Sequence, residues 1–202
     1  LRRPNGPSAE FCAEFTNICH IVGFALVTNH GIHTELTADV FEMMRQFFDL
    51  PLADKQRIDK TQSAQFRGWE PVGAETTNNA ADMREQIDVW TEWPTTSAID
   101  PVYNRLLGPN QWLPDSVLDQ HRNLSLHWIE ALAGLADQLM AALAVGLGLE
   151  TNHLRDLFGD QPMSLAKFIH YPPTPAGGAG VNPHHDAGFL TVLAPGPTPG
   201  LQ

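Results

Sequence analysis

Apolar residues first recur at helical spacing at Phe11, Phe15, Ile18 and Cys19, which predicts a short amphipathic helix ending before Gly23. Phe24-Ala25-Leu26-Val27-Thr28 has the composition of a buried strand, closed by the turn Asn29-His30-Gly31. Thr34 offers an N-cap, and Leu36, Val40, Met43, Phe47 and Phe48 share the inner side of a second helix that Pro51 stops. From Ala53 to Ala64 the pattern weakens into a short helix and a loop, and Phe66 to Gly73 has the glycines and proline of an irregular extended stretch. Between Asp82 and Trp93 the period changes to two. Glu85, Ile87 and Val89 alternate there with Gln86, Asp88 and Trp90, which predicts a strand.

The longest helical signal runs from Pro114 to Leu149, with Val117, Leu118, Leu124, Trp128, Leu132, Leu135, Leu139 and Leu143 in one stripe. Pro114 suits a helix start, and Gly146 and Gly148 weaken its end. A short helix over Thr151–Phe158 and a strand over Ser164–Tyr171, ended by Pro172-Pro173, follow. A Gly/Pro/Ala loop from Thr174 to Pro183 leads into a last strand, and a proline-rich turn covers Ala194–Gly200. Helices fill the first three quarters and strands thicken only at the end. The expectation is an α+β protein, one domain over 1–202, with a helical region and early strands over 1–163 and the start of a sheet core over 164–202.

Composition narrows the possibilities. With 43 % hydrophobic residues in 202, the chain can bury a core and is not disordered. Twelve basic against twenty-three acidic residues give a formal charge of −11, which argues against nucleic acid or an anionic membrane as partner. Arg2-Arg3 is the start of the chain, and the other basic residues are scattered. Cys12 and Cys19 lie seven residues apart in one helix, about 10 Å and too far for a disulfide. Free thiols, the lack of a membrane-length apolar run and the lack of a leader pattern make the cytoplasm the expected location. The chain begins at Leu1, and both ends look cut from something longer.

The chemistry gathers in Asn182-Pro183-His184-His185-Asp186-Ala187-Gly188-Phe189-Leu190-Thr191-Val192-Leu193. Side chains at i and i+2 of a strand leave the same face, so His184 and Asp186 can converge on one ion while His185 points away. An imidazole and a carboxylate, joined by one more histidine, make the facial triad of non-haem Fe(II) oxygenases, which leaves coordination positions open. His-x-Asp alone occurs by chance in many chains. The strand-like run behind it and the Gly-rich approach add weight.

Several segments, taken in order, resemble the isopenicillin N synthase-like branch of the 2-oxoglutarate/Fe(II)-dependent oxygenases. Gly23-Phe24 followed by Asn29-His30-Gly31-Ile32 is similar to that family's N-terminal strand and turn. Phe47-Phe48-Asp49-Leu50-Pro51 with Lys55 resembles its helix ending, and Arg67-Gly68-Trp69 with Gly73-Ala74-Glu75, Asp82 and Glu85 the segment before its first long strand. His170-Tyr171-Pro172 and the stretch from His184 to Thr191 are similar to its cosubstrate and iron segments, and Gly200-Leu201-Gln202 matches a tripeptide after the next turn.

The resemblance implies an N-terminal helical layer packed on a double-stranded β-helix (jelly-roll), of which only the first part is present. It implies His184 and Asp186 as two iron ligands and Tyr171 as a holder of the cosubstrate carboxylate, with Fe(II), 2-oxoglutarate and O2 as cofactor and cosubstrates. Ile169 stands where several plant relatives carry asparagine, so one polar cosubstrate contact departs from the pattern; His185 stands where many have threonine. The implied reaction oxidises a small molecule, most commonly by hydroxylation, with release of succinate and CO2. The chain stops sixteen residues after Asp186. The third ligand and the arginine and serine that hold 2-oxoglutarate are therefore expected beyond Gln202, and the chain as written is expected to be an inactive fragment.

Blander roles come first for the remaining candidates. His30 suits a structural hydrogen bond in its turn, and His20, His33, His121, His127 and His153 suit surface or helix packing. His170 faces the side of its strand opposite Tyr171. Arg67, Glu75 and Glu85 fit a substrate mouth or a structural role equally, and Trp69, Trp90, Trp93 and Trp128 fit the core. Three alternatives stay open: an oxidase of the same branch that uses no 2-oxoglutarate, a non-catalytic jelly-roll, and a mononuclear metallohydrolase.

Overall fold

The computed structural model describes residues 7–95, 101–174, 180–196 and 198. Arg2-Arg3, the Gly200-Leu201-Gln202 tripeptide and parts of the loops over 174–183 and 194–200 lie outside the described residues. The helices are α1 (Ala9–Ile21), α2 (Thr34–Phe48), α3 (Leu52–Lys55), α4 (His121–Gly146) and α5 (His153–Asp156). The strands are β1 (Gly68–Glu70), β2 (Thr76–Thr77), β3 (Ala80–Ala81), β4 (Glu85–Trp90) and β5 (Leu165–His170), so the class is α+β. The chain forms two compact units. Of the described residues, one unit draws on those up to Thr37, on Trp128–Pro162 and on those from Gly188, and the other on those within Ala38–His127 and Met163–Ala187.

In the first unit, α1 begins where the Ser8 hydroxyl accepts the Phe11 amide at 3.2 Å, satisfying one orphan donor of the first turn. Cys12 and Phe15 meet Leu135, Leu139 and Ala142 of α4 in a buried cluster. Burying a Phe- or Leu-sized side chain contributes about 1.5–3 kcal/mol, against about 1 kcal/mol for a cap, so packing rather than capping holds α1 in place. Cys12 and Cys19 are free thiols. Gly146 lets the two helices approach closely: a Cβ there would run into Thr16 Oγ1 and the Cys12 carbonyl. The hydroxyl can rotate away but the carbonyl cannot. Gly146→Ala is therefore expected to destabilise the protein by about 1–3 kcal/mol despite alanine's better helix propensity, read as a lower urea midpoint with an unchanged slope.

Three expectations are corrected here. Phe24-Ala25-Leu26-Val27-Thr28 is extended but is not a buried strand: Phe24 and Leu26 are 80 % and 93 % exposed, and only Val27 packs on the core. A strand needs a hydrogen-bonded neighbour, and none pairs with this segment among the described residues. The long helix starts at His121, not Pro114. The Pro114 carbonyl instead closes a turn with the Val117 and Leu118 amides, and Gln120 at φ 59° breaks the helical path. Finally, α4 is long and apolar enough to cross a membrane, against the expectation of no such run. A core helix meets the same test, and Trp128, Leu135, Leu139, Met140, Ala142 and Ala144 of α4 are buried.

The second unit is organised by β4, the centre of an antiparallel sheet in the order β1-β4-β5. Trp69 pairs with Ile87, and β5 runs from Leu165 opposite Trp90 to His170 opposite Glu85. Both faces of β4 are covered, so polar residues are buried on each. Asn110 finishes the strand by accepting the Trp90 amide at 2.9 Å and donating to its carbonyl at 2.8 Å. The hairpin β2–β3 turns on Asn78 and Asn79 at φ 53° and 64°, the left-handed pair that a two-residue turn demands.

Candidate metal centre

The segment 180–187 is irregular chain tied down from several sides. Gly180 accepts the Met83 amide at 2.8 Å, and a Cβ on Gly180 would press into the Tyr171 ring. Asn182 Nδ2 donates to the Thr77 carbonyl at 3.1 Å, and Asn78 Nδ2 donates to the Pro183 carbonyl at 2.6 Å. His184 Nδ1 lies 2.8 Å from the Asn182 carbonyl. A carbonyl can only accept, so Nδ1 donates to it and Nε2 is the ring nitrogen left for a ligand. That Nε2 lies 3.3 Å from Asp186 Oδ1. Two donors at right angles on an ion with bonds of about 2.1 Å sit roughly 3 Å apart, so the pair has ligand spacing. The side chains are 40 % and 58 % exposed, leaving room for further ligands.

The strand expected here is not formed: no ladder includes 184–193 among the described residues. Alternation survives without it, since Leu190 and Val192 pack on the core of the first unit while Phe189 and Leu193 are exposed. Loop geometry, rather than a pleat, brings His184 and Asp186 together. Among the described residues no third histidine or acid groups with them. The one such group among those residues, Glu70, Glu75 and Asp88, is already neutralised. Lys60 Nζ reaches Asp88 at 2.7 Å and Glu70 at 3.0 Å, and Lys167 Nζ reaches Glu75 at 3.1 Å. Burial pushes the Glu75 carboxyl up, but Lys167, Lys60 and Arg84 more than offset it and hold it down at about 2.

Tyr171 is 47 % exposed, and its hydroxyl lies 3.5 Å from Arg84 Nη1. Arg84 is anchored by Glu75 at 2.9 Å and Asp82 at 3.0 Å. Sequence reasoning passes over Arg84; its position directly before the alternating strand, close to Asp82, is the only signal. Arg84 Nη1 donates to the Tyr171 hydroxyl, which leaves that O–H as a donor for a carboxylate.

The other candidates have structural roles. His170 donates through Nδ1 to Glu85 at 2.9 Å and packs beside Phe48. Glu85 also accepts from Lys55 Nζ at 2.8 Å and Trp69 Nε1 at 3.0 Å, so it belongs to a buried polar network rather than a substrate mouth. Arg67 is fully buried over the Trp90 ring, which also removes it from any mouth; burial alone lowers its pKa to about 10. His121 is fully buried, accepts the Leu113 amide, and is pushed down to about 4 by burial. His30 Nδ1 accepts the Ile32 amide at 3.2 Å inside its turn.

Residues 2–115 match the family described as the N-terminal region of non-haem dioxygenases in morphine synthesis. A homoarginine-6-hydroxylase of Arabidopsis thaliana is 30 % identical over 91 % of this chain and 51 % of its own length. A 2-oxoglutarate-dependent dioxygenase of a Dothideomycetidae species is 30 % identical over 96 % of the chain and 53 % of its own. The chain thus spans about half the length of the curated relatives it matches. Among solved structures, a full-length Neurospora crassa protein in complex with alpha-KG superposes with a TM-score of 0.66 at 23 % identity, over 81 % of this chain and 49 % of that one. A 2OG-Fe(II) oxygenase family protein from Caulobacter crescentus gives 0.68 at 21 % identity, over 83 % and 53 %. These two likenesses show a shared fold.

Proposed function

The chain belongs to the non-haem dioxygenases of the isopenicillin N synthase-like, 2-oxoglutarate/Fe(II)-dependent type, and from that premise we propose that its protein oxidises a small molecule, most simply by hydroxylation, with 2-oxoglutarate as cosubstrate. The observation that carries the reading is the 3.3 Å approach of His184 Nε2 to Asp186 Oδ1, with the imidazole tautomer set by the Asn182 carbonyl. These two atoms would hold Fe(II), and a further imidazole would complete the facial set. When bound, the iron supplies the activation of dioxygen that is coupled to conversion of 2-oxoglutarate to succinate and CO2.

The chain's own residues account for the rest. His184 would offer Nε2 to the ion because its other nitrogen is committed to a backbone carbonyl. Tyr171 supplies an O–H donor for a carboxylate of the 2-oxo acid, and Arg84 holds that hydroxyl from the other side. The fold reading belongs to the same proposal: the helices form a layer on a double-stranded β-helix that begins near 164. A cytoplasmic location is part of it too, supported by the two free thiols. The small-molecule substrate class is supported by the relative named for homoarginine hydroxylation.

The test is succinate formation by the complete protein, which should require Fe(II), 2-oxoglutarate and dioxygen together; turnover without 2-oxoglutarate would place the protein with the independent oxidases instead. Tyr171→Phe is expected to raise the KM for 2-oxoglutarate by roughly 10-fold, the value of one charge-assisted hydrogen bond, with Fe(II) affinity unchanged. An unaltered KM would remove Tyr171 from the cosubstrate site.

A further inference from the structure

An ion site on irregular chain lacks the ladder that would hold two ligand side chains in register, so something else must hold His184. We propose that the β2–β3 hairpin is that device: Asn182 and Asn78 clamp the iron loop and thereby set the affinity for the metal. The inference rests on the metal reading above and deepens it by naming positioning residues that no motif marks.

The geometry is reciprocal. Thr77 and Asn78 are neighbours at the hairpin tip, and Asn182 and Pro183 are neighbours in the loop. The Asn182 amide donates to the Thr77 carbonyl at 3.1 Å, and the Asn78 amide donates back to the Pro183 carbonyl at 2.6 Å. Pro183 has no N–H, so its carbonyl is its only hydrogen-bonding group, and its ring restricts both its own φ and the residue before it. The third tie is the Met83 amide on the Gly180 carbonyl at 2.8 Å.

Asn182 therefore performs two tasks at once. Its backbone carbonyl sets the His184 tautomer at 2.8 Å, while its side chain fastens that same residue to the hairpin. Releasing the side chain frees the carbonyl to wander, and with it the ring of His184. The hairpin has a defined turn, with Asn78 and Asn79 in the left-handed region, and Thr77 Oγ1 ties it to Asp82 at 3.0 Å.

The test is anaerobic titration with Fe(II), or with Co(II) as an absorbing substitute, on the complete protein and its variants. Asn182→Ala removes the donor. Asn78→Gly removes the other donor without straining a position at positive φ. Each is expected to weaken metal binding roughly 10-fold and the pair together roughly 100-fold, the range found for outer-shell partners of metal ligands. The unfolding midpoint of the metal-free protein is expected to stay unchanged, which a merely structural role would not predict. Thr76→Ala, on the same hairpin, is the control and should bind like the parent. If both asparagine variants bind within about twofold of the parent while His184→Ala has lost binding, the clamp is wrong and the metal reading survives. If His184→Ala binds like the parent, the metal reading falls and the clamp with it.

Discussion

Replacing His184 or Asp186 by alanine is expected to abolish saturable Fe(II) binding while leaving the protein folded. Each substitution removes one of two donors that lie 3.3 Å apart on one loop, so this loop is left with a single donor for the ion. Changes one layer further out already cost about 10- to 100-fold in metal affinity, so direct loss of a ligand should exceed about 100-fold. Neither side chain carries core packing: they are half exposed, and such surface substitutions shift stability by only about 0.5 kcal/mol. Binding and folding should therefore separate cleanly. Calorimetric titration under anaerobic conditions reads the first, and a urea melt of the metal-free protein reads the second. Parent-like affinity in both variants would sink the oxygenase reading at its root.

The second large effect is on stability. Glu85→Ala is expected to destabilise the second unit by about 3–5 kcal/mol, because it strands the Lys55 ammonium with no carboxylate inside the fold. Glu85 is only 7 % exposed and takes donors from Lys55, Trp69 and His170. Burial by itself pushes its carboxyl up, but these three donors more than offset that, and it lies below the usual carboxylate range. Glu75 behaves alike, held down at about 2. Because folding lowers both values, the unfolded chain binds more protons than the folded one at acid pH. The stabilisation is complete above the unfolded value of about 4.3 and drains away as pH falls through the folded values. Urea midpoints measured from about pH 6 down to about pH 2 should therefore fall, and the fall should be smaller in Glu85→Gln. A flat profile in the parent would show that these carboxylates do not stabilise the fold.

Much of the scaffold is legible from periodicity. The stripes of α1 and α2, the alternation of β4 and the strand before Pro172 can all be read, because each buries a face against a neighbour close enough to impose its period. The start of α4 is not legible in the same way: Pro114 is as good in a turn as in a first helical turn, and only Gln120 at positive φ distinguishes them. Phe24-Ala25-Leu26-Val27-Thr28 misleads for a different reason. Composition reports what could pair, and pairing depends on a partner elsewhere in the chain.

For the candidate site, the residue types at 184 and 186 and their spacing come from the sequence, as does the family with its chemistry. Convergence of the two side chains comes from folding, and by a route that spacing does not foresee: a loop held by a hairpin instead of a pleat. Arg84 beside Tyr171, Asn78 on Pro183 and the three donors on Glu85 join residues between 16 and 105 positions apart. Periodic patterns record which side of a local element is apolar, because burial acts on every residue in turn. A hydrogen bond between distant polar groups leaves no such trace, since its geometry exists only once the intervening chain has packed.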